Sequence, residues 1–314
     1  MLRIPGRPRA GRRGRRLVAA LALIAPLAGF VFASSAAATP KGVFSVFSDC
    51  PTENTEVALC VYGLTTSGEF VLGSSKVPIN QTITLQGGAV WTGNEENLKE
   101  YDLIPPKDGK ILSETALNVP GGLAGLINCE EIKGSGLLEI AARALCKEVF
   151  EGSATGVTAQ TEPVNTTGNP IVLNLVNLAL EEGVAVKLPV RVHLKNPLLG
   201  SSCYVGSSTH PLQLNLTTGT TSPPSPNKPI SGKRGEAETL ERNEQYMLRL
   251  FENSLVDNSF SAPAAEGCGG LFALLIDPII DAKIGLPSAS GKNTAILNGE
   301  LKTATAESVL ANET

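Results

Sequence analysis

Between Val184 and Leu194 the chain reads VAVKLPVRVHL, and every second residue is aliphatic. Val184, Val186, Leu188, Val190, Val192 and Leu194 fall on one side of an extended chain, while Lys187, Arg191 and His193 fall on the other. A period of two over eleven residues fits only a half-buried β-strand. Pro189 cannot donate to a ladder, which predicts an edge position or a bulge. His193, beside two cations, is expected on the solvated face. Shorter runs of the same kind recur in EVALCVYG, EFVLGSS, INQTITLQGG, IVLNLVNLAL, LQLNLTT, YMLRLF and TAILNGELKTATA, set apart by Gly, Pro, Ser and Asn. Many short strands with turn residues between them predict a mainly β fold, an antiparallel β-sandwich or barrel-like domain.

Two segments break that period and predict short helical insertions. In SGLLEIAARALCKEVF, Leu138, Ala142, Leu145 and Val149 recur at helical spacing. In DPIIDAKIG, Asp277 precedes Pro278, the signature of an N-cap and first-turn proline, so a helix is expected to begin there. Residues 221–238, TSPPSPNKPISGKRGEAE, read as a flexible or extended proline-rich connection. Cysteines on both sides of it favour a single β-rich domain over residues 39–314 with this stretch as a loop.

The N-terminus has a different character. Seven arginines precede residue 17 with no acid among them, an apolar run extends from Leu17 to Ala33, and small residues follow. That order predicts a secretory signal peptide over residues 1–38, with Ala36 and Ala38 at the cleavage site and Thr39 as the first mature residue. Taking those seven arginines from the 26 basic residues leaves 19 against 30 acidic, a net charge of about −11. So acidic a chain is a poor partner for nucleic acid, whose phosphates demand cations. No stable membrane insertion is expected after cleavage.

All six cysteines, Cys50, Cys60, Cys129, Cys146, Cys203 and Cys268, lie in the exported part. An even number in an oxidising compartment predicts three disulfides. Six cysteines allow fifteen pairings. The simplest joins neighbours: Cys50 to Cys60, Cys129 to Cys146, and Cys203 to Cys268. The last closes a loop of about 65 residues, worth ~4 kcal/mol on the chain-entropy argument, against ~3 kcal/mol for the first. NPLLGSSCYVGSSTHPLQLNL places Cys203 seven residues before His210, as a nucleophile and base or a metal corner would be. A bridged Cys203 has no thiolate to offer, no CxxC pair supports zinc, and Pro211 holds His210 in an extended turn.

Other resemblances to chemical motifs are superficial. GLPSASGKNT has five residues between its glycines and Asn293 after the lysine, where a phosphate loop needs four and Ser or Thr. SPNK, from Ser225 to Lys228, has Ser-x-x-Lys spacing but lies between prolines. Asp277 and Asp281 stand one helical turn apart, and the pairs Glu95-Glu96, Glu130-Glu131 and Glu181-Glu182 add further carboxylates. No GxSxG elbow occurs, and no cofactor is expected. The arginine-rich leader together with NPLLGSSCYVGSS, NSLVDNSFSAPAAEGCGG and GKNTAILNGEL resembles uncharacterised exported proteins of high-GC Gram-positive bacteria. That resemblance implies no activity or site. The reading is a binding or structural module of the cell exterior with an extracellular or cell-wall ligand. Its rival is a secreted hydrolase that cleaves carbohydrate with two carboxylates.

Overall fold

The chain is built around one antiparallel sheet, seen in a computed structural model that describes residues 39–93, 100–148 and 156–313. Its strands are β1 (Val57–Leu72), β2 (Ser75–Pro78), β3 (Ile83–Trp91), β4 (Glu100–Ile104), β5 (Ala116–Asn118), β6 (Thr158–Pro163) and β7 (Val172–Asn174). After these come β8 (Val186–Lys195), β9 (Tyr204–Val205), β10 (Leu212–Leu216), β11 (Glu236–Arg242), β12 (Gln245–Asp257), β13 (Ala265–Glu266) and β14 (Thr294–Thr305). The fold is therefore mainly β, as the alternation predicts. EVALCVYG and EFVLGSS turn out to be one strand, the long β1.

The hydrogen-bonded path runs β11-β12-β14-β1-β3-β4-β7-β8-β6-β5, with β10 and β9 also on β8. Thr217, just past β10, exchanges two backbone hydrogen bonds with Val256 of β12, at 2.9 and 2.8 Å. That pair brings the path back on itself, so the sheet curls into a wall around the main core. Tight curvature is supplied by bulges in β1 at Thr65/Ser67 and in β12 at Phe251/Asn253. Both bulges face Gly299 of β14, where a Cβ would lie 1.7 Å from the Leu64 carbonyl oxygen. Bulges sharpen local twist and bend strands, and only a residue without a side chain fits between two of them.

The aliphatic face of β8 points into that core: Val186, Leu188, Val190 and Leu194 are all buried. Pro189 is not on an edge strand, because β8 is paired on both sides. Pro189 O accepts from Val164 N at 2.8 Å. Residue N and O point the same way in a strand, so the missing donor falls where β7 gives way to β6. The proline occupies the one gap in that ladder.

Five α-helices are present among the described residues: α1 (Gly122–Leu126), α2 (Leu137–Cys146), α3 (Leu175–Leu180), α4 (Ala273–Ile284) and α5 (Ala306–Leu310). Of the residues whose spacing predicts α2, Leu138, Ala142 and Leu145 lie in the helix, but their side chains and all of Val149 lie outside the described residues. The latter half of IVLNLVNLAL is α3 rather than strand. Asn174 caps it by accepting from Asn177 N at 2.9 Å, and an N-cap asparagine outweighs the aliphatic run that follows. Helix α4 begins at Ala273, not Asp277, so Pro278 lies inside it. Asp277 instead accepts from the backbone of Gly267 and Cys268.

The three disulfides join sequence neighbours: Cys50–Cys60, Cys129–Cys146 and Cys203–Cys268. The proline-rich stretch is pinned rather than free. Asn227 donates from Nδ2 to the carbonyls of Asn258 and Asn293, each at 2.9 Å, and Lys233 exchanges backbone hydrogen bonds with Ser254. Its last three residues enter β11. Phe44, Phe47, Met247 and Val309 form a second, smaller core with the Cys50–Cys60 bridge.

Candidate functional site

His193 is not solvated. Its side chain is 12% exposed, because Tyr204 of β9 pairs directly opposite and stacks on the imidazole with ring centroids 4.3 Å apart. The Arg191 guanidinium lies over the same tyrosine ring, 4.2 Å from its centroid. Across β8, on β6, Glu162 Oε2 accepts from Arg191 Nε at 3.0 Å and Nη2 at 2.7 Å. Its other oxygen accepts from His193 Nδ1 at 3.1 Å. With that proton on Nδ1, a neutral imidazole carries its lone pair on Nε2, which is buried and without a partner among the described residues. Burial, reinforced by the Glu162 charge, pushes the Tyr204 hydroxyl above the ordinary tyrosine range.

The polar row continues along β8. Lys195 Nζ donates to Gln160 Oε1 at 2.5 Å. Next to His193 and Lys195 an open groove of about 580 Å³ is bordered by Asn196, Pro197, Gly200 and Ser201. Its far wall is a tight turn: Asn196 Oδ1 accepts from Leu198 N at 2.8 Å, and Leu199 is fully buried beneath. The Leu199 carbonyl accepts from Gly269 N at 2.7 Å. This contact, together with the Cys203–Cys268 bridge, brings the start of α4 beside the groove.

There the chain exposes an apolar lip. Leu271 is 100% exposed, Leu274 92%, Phe272 55% and Leu275 46%. Single exposed leucines are ordinary, whereas a cluster of this kind marks an interaction surface. The lip is held firmly from behind. Asp277 accepts from Cys268 N at 2.7 Å and Gly267 N at 3.1 Å, and Asp281 accepts from Ala265 N at 2.7 Å. Burial, with the nearby Asp277 charge, raises the Asp281 pKa against the pull of the Ala265 hydrogen bond. The two aspartates one turn apart thus fasten α4 to β13, which is why Asp277 is no helix cap.

The remaining motifs are structural. In GLPSASGKNT, Asn293 is fully buried and its Nδ2 donates to the Phe260 carbonyl at 2.8 Å, while its Oδ1 accepts from Gly73 N at 3.0 Å. Glu130 pairs with Lys147, and Glu181 accepts from Arg234 N at 2.7 Å. Glu95 and Glu96, and the side chain of Glu131, lie outside the described residues. His210 is exposed, with Nδ1 3.0 Å from Thr209 Oγ1. Cys203, of the same stretch, is in a disulfide. Among the described residues no cluster of His, Cys, Asp and Glu could hold a metal ion, and no helix is long and apolar enough to cross a membrane. No family model, curated protein or solved structure matches the chain.

Sequence reasoning passed over the groove because, although its border lies within residues 193–201, the partners that bury and orient His193 come from β6 and β9. The one local signal was the uncharged run GCGGLFALLI, too apolar for a surface and too glycine-rich at its start to be core.

Proposed function

We infer that this is an exported, disulfide-stabilised binding module that works outside the cell by holding a ligand of the cell exterior across the groove bordered by His193, Lys195 and the Asn196–Ser201 turn and the neighbouring Leu271–Leu275 lip. The observation that carries the reading is the lip: four large apolar side chains kept in water by a disulfide and two aspartates. Leaving them exposed costs solubility unless a partner covers them. The three bridges suit an oxidising compartment, and the arginine-rich leader supplies the route out. A carbohydrate hydrolase is less well supported. Such an enzyme needs two carboxylates free to act across a cleft, whereas Glu162 and Asp277 spend both oxygens on protein donors and Asp281 spends Oδ1 on Ala265 N.

The test has two parts. Protein recovered from culture medium should begin near Thr39. It should co-sediment with purified cell-wall material, and Leu271→Ser with Leu274→Ser should abolish sedimentation while leaving the unfolding midpoint unchanged. Retention of Met1 on secreted protein, or equal sedimentation of the variant, would overturn the reading.

A further inference from the structure

Gly63 sits in the middle of β1, on the face that carries Leu59 and Val61 into the main core. It pairs with Leu301 on one side and Leu85 on the other. A Cβ added there would meet Leu301 Cδ1 at 3.7 Å and Leu85 Cβ at 3.8 Å, ordinary contact distances. No close approach of backbone therefore requires the glycine. Glycine inside a strand weakens it, and often marks a place where a ligand comes near.

The space left open is a cavity of about 80 Å³ walled by Leu85, Leu173, Leu188, Leu216, Leu297 and Leu301. A second cavity of about 40 Å³ adjoins it, and Phe70 and Thr161 border both. Interiors normally close up to crystal-like density. Cavities with aliphatic walls stay dry and admit benzene or xenon instead of water. We propose that this interior space is a binding site for a small uncharged apolar molecule, an alkyl chain or a single ring, with Gly63 reserving the room. Entry lies at the bulges, where Leu64, Asn253 and Glu300 border both the larger cavity and an outer groove of about 660 Å³. The wall is one strand thick there and its ladder is interrupted on both sides of Gly299.

The mature chain is titrated with n-alkanols from butanol to octanol by calorimetry. The expected result is saturable one-to-one binding that tightens about fourfold per added methylene, the ~0.8 kcal/mol of a buried CH₂, and then levels off once the cavity is full. Gly63→Val should weaken octanol at least tenfold with an unfolding midpoint no lower than that of the parent. Gly63→Ala, whose methyl meets only ordinary contacts, should weaken it less and decides the matter if the valine variant does not fold. Absence of saturable binding, or binding that neither levels off nor responds to a folded Gly63 variant, overturns the proposal. The Leu271 and Leu274 serines leave this readout untouched, so it stands apart from the groove.

Discussion

Two arginines on the outer face of the sheet stand in nearly the same company and end in different states. Arg249 of β12 lies over the Phe251 ring at 4.9 Å and is held by Glu238 at 2.7 Å and Glu300 at 2.6 Å, with Lys302 2.8 Å from Glu300. Arg191 of β8 lies over Tyr204 and, among the described residues, has Glu162 as its one charged partner. In the first cluster two cations share two carboxylates over a ring that cannot titrate. In the second, one carboxylate serves an arginine and a histidine beside a tyrosine, and an imidazole nitrogen is left over. The first arrangement ties strands together. The second does so as well but leaves that buried nitrogen without a partner among the described residues, beside the groove.

The contrast breaks hardest at the disulfide. Tyr204 follows Cys203 directly, whereas β11, β12 and β14 contain no cysteine. Cys203→Ser should lower stability by about 2–5 kcal/mol in urea unfolding. A loss below ~1 kcal/mol would mean that the Tyr204 cluster does not lean on the bridge. Next in size is the loss of a carboxylate. Glu162→Gln leaves Arg191 with no charged partner and should cost about 1–2 kcal/mol, allowing for partial exposure. Glu238→Gln leaves Arg249 its bond to Glu300 and should cost no more than ~0.5 kcal/mol. Equal losses would erase the distinction.

A smaller effect separates the clusters by pH. The Tyr204 pKa is raised in the folded chain, so its contribution is complete below about pH 10 and is lost as pH climbs through the folded value. Glu300 behaves in the opposite sense. Burial pushes its pKa up, but Lys302 and Arg249 outweigh burial and hold it below the ordinary value. Its contribution is complete above about pH 4 and is lost as pH falls through the folded value. Stability measured across pH should therefore lose part of its alkaline limb in Tyr204→Phe and part of its acid limb in Glu300→Gln. Unchanged limbs would show that neither group is linked to folding. Smallest of all is His210→Ala, within ~0.5 kcal/mol in the same unfolding assay, because that imidazole faces water. A larger loss would make the exposed histidine, not His193, the one that matters.

What the sequence disclosed follows from the range over which each signal acts. Strand β8 was legible because alternation is local, and the bridges because, of fifteen possible pairings, the one adopted is the simplest, joining sequence neighbours. Helix α4 misled because Asp277-Pro278 is spelled like a helix start, while its true start is Ala273, which follows a 3-10 turn over Gly270–Phe272 and has at its N-cap Phe272, a side chain that makes no cap hydrogen bond. His193 was misplaced because its partners stand 31 residues away at Glu162 and on β9, a strand two residues long. Nothing near position 193 records that pairing. The cavity beside Gly63 depends on strands from both ends of the chain and left one trace, a glycine where alternation calls for an aliphatic residue.

The Cys203–Cys268 bridge closes a loop of 65 residues that contains the proline-rich stretch, whose Pro224, Ser225 and Pro226 are exposed. Exposed loop residues of this kind are where a protease cuts most readily. The peptide bond severed there would leave two polypeptides still joined covalently through the bridge and knitted by the β11–β12 and β12–β14 ladders to the rest of the sheet. A nicked molecule would run as two bands under reduction and one without it. The groove and the lip, which lie at the two ends of that same bridge, would stay together in either form.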